Sequence, residues 1–72
     1  AVNLDMIALR FEAGSEVSPE ALQAVGLISS LELPVKILSR GGVDKALTVR
    51  AHKFSAGAQV AITAAGGTVE TI

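Results

Sequence analysis

The stretch that decides the fold is Leu33-Pro34-Val35-Lys36-Ile37-Leu38-Ser39-Arg40-Gly41-Gly42-Val43-Asp44-Lys45-Ala46-Leu47-Thr48-Val49-Arg50-Ala51-His52-Lys53-Phe54-Ser55. Pro34 disfavours helix at Leu33, so the preceding linker ends there. Val35, Ile37 and Leu38 then read as a strand, and Leu47, Val49 and Ala51, extending to Phe54, read as another. The segment from Ser39 to Lys45 holds two glycines, which permit positive φ, and is expected to be a hairpin-type loop with basic residues on its rim. In the second run Thr48, Arg50 and His52 alternate with apolar positions and are expected on one common face.

Helices flank this centre. Ser55 is a natural N-cap for a helix from Ala56 to about Ala65, with Ala58, Ala61, Ile62 and Ala65 at helical spacing and Gly66-Gly67 as its end. Thr68 to Ile72 reads as a last strand. Upstream, Ser18 caps and Pro19 opens a helix that carries Glu20 in its first turn and stops at Gly26. Before it, Val2-Asn3-Leu4 reads as a strand running into a short helix, with Asp5 as cap, Met6, Ile7, Leu9 and Phe11 as its apolar residues and Gly14 as its stop. The expected architecture is α/β, a small single-layer mixed sheet with helices packed on it, in the order β-α-α-β-β-α-β. All 72 residues form one domain, with no repeat and no linker.

A chain this short buries only about 60 to 65% of its unfolded surface, so modest stability is expected. It contains no cysteine, tryptophan or tyrosine. Disulfides and thiolate metal sites are therefore out, and base stacking on an aromatic platform has only Phe11 and Phe54 to draw on. No apolar run approaches the roughly 20 residues of a membrane span, and the first residues show no signal-peptide pattern.

The net charge of −1 hides a segregation. Lys36, Arg40, Lys45, Arg50 and Lys53 stand against Asp44 alone, a net of +4, while the remainder sets Arg10 against six carboxylates, a net of −5. Lysine and arginine in one segment suit phosphate contact, which is salt-dependent and largely blind to sequence. RNA helices are read through shape, phosphate and 2′-hydroxyl groups, which needs no stacking platform.

Catalytic chemistry finds no support. His52 is the lone histidine, without the partners that a zinc site or a general base requires. Ser55, three residues on, would point to the other face of an extended strand. The glycine pairs fit turns and not the phosphate-cradling loops that precede a helix. No enzyme, cofactor or metal is expected.

Three separated stretches carry a resemblance. Pro34 to Leu38, Lys45 to Ser55, and Ala64-Ala65-Gly66-Gly67-Thr68-Val69-Glu70 look like the C-terminal domain of bacterial large-subunit ribosomal protein fifteen. Val2-Asn3-Leu4-Asp5, Val17 to Leu22 and Gly26-Leu27-Ile28 fit in the same order. The resemblance implies the fold shared with the eighteen-e protein, and a structural, RNA-binding role in the large subunit of a cytoplasmic or organelle ribosome. It implies large-subunit ribosomal RNA as partner, with neighbouring ribosomal proteins. Carried onto this chain, Lys36, Lys45, Arg50, His52, Lys53 and Ser55 fall on the family's basic and polar positions, and Arg40 lies in a loop that tends to be basic.

Two features depart from the family. Its glycine- and arginine-rich leading extension has no counterpart in these residues, and its third helix usually carries lysines where Ala56 and Gln59 stand here, among the unusual Gly57, Val60 and Thr63. The alternative expectation is an excised or engineered stand-alone domain with the same fold, weak RNA affinity and self-association through that bare helix.

Overall fold

The computed structural model describes residues 1–72. Six strands and three helices follow one another: β1 (Val2–Asn3), α1 (Leu4–Arg10), β2 (Glu16–Val17), α2 (Pro19–Ala24), β3 (Lys36–Leu38), β4 (Thr48–Ala51), β5 (Lys53–Phe54), α3 (Ala56–Ala64) and β6 (Thr68–Thr71). The class is α/β as expected, but the strands form two small parallel sheets instead of one mixed sheet. The odd strands pair in the order β1-β3-β5 and the even ones in the order β2-β4-β6. The chain alternates between the sheets at every step.

That alternation corrects the expected hairpin. β3 and β4 do not pair with each other, because the segment between them carries the chain across and does not fold it back. Gly42 N–H donates to Ser39 O to close a turn, Asp5 N–H donates to Arg40 O, and Gly14 N–H donates to Ala46 O. The loop is thus laid over α1 and its exit. The added strand, β2, pairs Glu16 with Thr48 and Val17 with Val49. Two residues are too few for a periodic signal.

The run from Thr48 to Phe54 also splits. His52 N–H and Lys53 N–H both donate to Val35 O, at 3.0 and 3.1 Å, turning the chain from β4 in one sheet to β5 in the other. Thr48 and Arg50 keep the alternation with Leu47, Val49 and Ala51, all buried, whereas His52 sits in the bend and leaves it.

Helix ends follow their local chemistry. Ser18 and Ser55 accept from the N–H groups of Ala21 and Ala58, capping α2 and α3. Both helices close with the same paired bonds, Gly26 N–H to Gln23 O with Leu27 N–H to Leu22 O, and Gly66 N–H to Thr63 O with Gly67 N–H to Ile62 O. Gly26 and Gly66, at φ +82° and +86°, make that geometry available. α1 differs from expectation at both ends. It starts two residues earlier, with Asn3 at the N-cap position and Asp5 in the first turn, and it ends at Arg10 with extended Phe11 following. Gly14 lies in the turn beyond.

Twelve buried apolar residues form one cluster drawn from both sheets and all three helices. Leu4, Ile7, Leu22, Ile37, Leu47 and Ile62 are its largest members. Each buried side chain of that size contributes about 1.5–3 kcal/mol relative to exposure. Leu9, expected among the apolar residues of α1, is 84% exposed, because the inner face of this short helix is already filled by Leu4 and Ile7.

Candidate nucleic-acid interface

Lys36 on β3 and Lys53 on β5 are direct partners in the parallel register, next to the pair Ile37 and Phe54. Their neighbours Val35 and Ile37 are buried, so alternation turns Lys36 outward, and both lysines are exposed. Neither side-chain ammonium group makes a hydrogen bond or an ion pair within the protein. Like charges set directly opposite each other on a sheet are destabilising, so the fold gains nothing from this pairing.

The other cations have partners. Lys45 Nζ donates to Ala8 O at 2.6 Å and Phe11 O at 3.0 Å, closing the C-terminal end of α1, where no glycine cap is available. Arg50 Nε donates to Glu70 Oε2 at 2.6 Å and its Nη1 to Glu16 Oε2 at 3.1 Å, so one guanidinium spans all three strands of its sheet. The hydrogen bond donated to Glu70, then the charge of Glu16, hold that guanidinium above the usual arginine range. Arg40 is mostly exposed on the loop, with Nε 3.5 Å from Asp5 Oδ2. Arg10 donates to Val25 O at 2.9 Å.

His52 and Ser55 are also engaged. Val35 N–H donates to His52 Nδ1 at 2.9 Å, and Ser55 Oγ accepts from Ala58 N–H at 3.1 Å. The positive end of the α3 dipole, at Ser55 and Ala56, begins two residues beyond Lys53.

Of the seven positions expected from the sequence, the structure brings Lys36, His52 and Lys53 together and puts Ser55 close by along the chain. Arg40 stands on the separate loop over α1. Lys45 and Arg50 are turned to intramolecular work. Sequence reading missed Glu16 and Glu70 as the partners of Arg50, since only the parallel register brings them to it. The N-terminal turn of α3 packs on Ser39, where a Cβ added at Gly57 would lie 2.9 Å from Ser39 Oγ. The glycine in an otherwise good helix former was the available signal for that close approach.

Nothing gathers reacting groups. No three of His, Asp and Glu cluster as metal ligands, and none of the three surface clefts includes His52. A cleft of about 680 Å³ between α1 and the loop from Gly41 to Lys45 is wide and open. No helix is long and apolar enough to cross a membrane. A family described as ribosomal proteins 50S-L15, 50S-L18e and 60S-L27A matches residues 1–70.

Proposed function

From the premise that the chain belongs to this family of ribosomal proteins, we propose that it contacts ribosomal RNA through the strand pair β3–β5 and the loop after β3. As a member it is a structural constituent of the large ribosomal subunit, associated with ribosomal RNA and working in translation. Lys36 and Lys53 supply the central charge, Arg40 extends it along the loop, and His52 and Ser55 lie at its margin. Lys45 and Arg50 hold the scaffold in shape.

The single observation behind this reading is the register of Lys36 and Lys53, two unpaired like charges in a molecule that engages its four other cations. A phosphodiester between them would offset their repulsion. The mode is electrostatic and shape-directed, as suits a double-stranded RNA surface.

Binding to large-subunit ribosomal RNA across a salt series, with an unrelated RNA as control, tests the proposal. Two to three phosphate contacts give a slope of log K against log salt of roughly −2 to −3. A flat salt dependence, or equal affinity for the control, would contradict it.

A second reading comes from α3. Its outer face, Gln59, Val60, Thr63 and Ala64, carries no charge, and Val60 is 68% exposed. Such a face favours contact with protein over phosphate, including another copy of the chain. A mass that rises with concentration in light scattering supports this contact, and a strict monomer speaks against self-association.

A further inference from the structure

Val35 fastens β5 to β3. Its carbonyl accepts from the N–H groups of His52 and Lys53, and its own N–H donates to His52 Nδ1 at 2.9 Å. An imidazole nitrogen can accept only while it carries a lone pair, so this bond requires neutral His52 with its proton on Nε2. Nε2 has no protein partner and keeps contact with solvent. Val35 is only 4% exposed, so water is a poor substitute acceptor for its N–H. The next residue on each strand is Lys36 or Lys53, which places the ring's anchorage one residue from both lysines.

We propose that His52 is the positioning residue of the two-lysine site and serves it only as a neutral imidazole, an inference that rests on the RNA-binding reading above. The anchored ring holds the start of β5 against β3 and keeps the lysines in register, while Nε2–H is a donor for a phosphate or 2′-hydroxyl oxygen beside them. Protonating Nδ1 replaces the acceptor with a second donor aimed at Val35 N–H, and the contact opens.

Lys36 on β3 and Lys53 on β5 are unpaired cations, and Arg50 on β4 is taken up by Glu70 of β6 and Glu16 of β2. β1 and α3 bring no charged side chain, and no carboxylate pairs with His52. The bond from Val35 N–H exists only while Nδ1 keeps its lone pair, and it is lost when that nitrogen carries a proton. A histidine that only added charge near phosphate would make RNA bind more tightly on acidification. The anchoring role predicts the opposite sign.

The test uses the whole chain, wild type and His52→Asn, whose amide oxygen can accept in place of Nδ1 without titrating. NMR follows the His52 ring nitrogens and the protection factor of the Val35 amide with pH, beside binding to large-subunit ribosomal RNA at fixed salt. In the wild type, Val35 protection falls roughly tenfold as the ring takes up its proton, and RNA affinity falls with it. Both stay level in His52→Asn. Val35 protection that ignores the titration of His52, or affinity that rises on acidification, overturns the role assigned to His52. Absence of RNA binding at every pH overturns the underlying RNA reading, and with it the site that His52 is said to position.

Discussion

Arg50 and Glu70 face each other in register across β4 and β6, with Arg50 Nε 2.6 Å from Glu70 Oε2. The same guanidinium reaches Glu16 on the opposite edge strand, so the bridge ties β2, β4 and β6 together. A side chain that alternation alone would assign to an RNA-facing row is thus matched by two carboxylates of the same sheet. Arg50→Gln is expected to lower Tm at low salt, and by less as salt rises, because the groups are exposed and screened. Its pKa is raised, so the charged form persists below the usual arginine range and is lost only above it. RNA affinity should change by less than about twofold, since the cation is already neutralised. A loss as large as that of a lysine variant on β3 or β5 would place Arg50 on the RNA.

Lys45 makes a different contribution. It supplies the cap that α1 lacks, reaching Ala8 O and Phe11 O from far along the chain. Lys45→Met keeps the stem and removes the donor, and should cost about 1–2 kcal/mol. In a domain of this size that lowers Tm by roughly 5–15 °C. Urea denaturation would detect it as a lower midpoint at unchanged slope.

Gly41 carries the loop over α1 at φ +79°, and a Cβ there would fall 2.3 Å from Asp5 Cβ. Gly41→Ala is expected to destabilise by about 1–3 kcal/mol through backbone strain and overlap. Thermal unfolding of this variant, beside Gly42→Ala, separates the two causes. Gly42 shares the positive φ but has nothing within 4 Å of its added Cβ, so it should lose less.

Much of this was legible, and the reasons are local. Ser18-Pro19 and Ser55 fixed their helix starts because the cap bond lies within three residues, and Gly26 and Gly66 fixed the ends through one backbone angle each. Burial of Leu47, Val49 and Ala51 followed from a period of two. What could not be read was pairing between distant segments. The partition into two parallel sheets, the two-residue β2, and the partners of Lys45 and Arg50 depend on contacts between residues 17 to 37 apart. Charge segregation pointed to one segment but could not say which of its cations the fold had already engaged.

The outer face of α3 offers a gain-of-function test. Ala56 and Gln59 are exposed, and the resemblance implies lysine there. Ala56→Lys with Gln59→Lys should leave stability within about 0.5 kcal/mol. If α3 lies along the RNA, each new contact should steepen the salt slope by roughly 0.7–0.9. An unchanged slope would turn this face toward protein.

The most direct measurement is the affinity of Lys36→Gln/Lys53→Gln for large-subunit ribosomal RNA across a salt series, compared with wild type and with Arg50→Gln. Removing two phosphate contacts should flatten the slope of log K against log salt by roughly 1.5–2. Stability should hold or rise slightly as the repulsion across β3 and β5 is relieved. An affinity and slope equal to wild type, in a double variant that folds, would contradict the assignment of this lysine pair to the RNA.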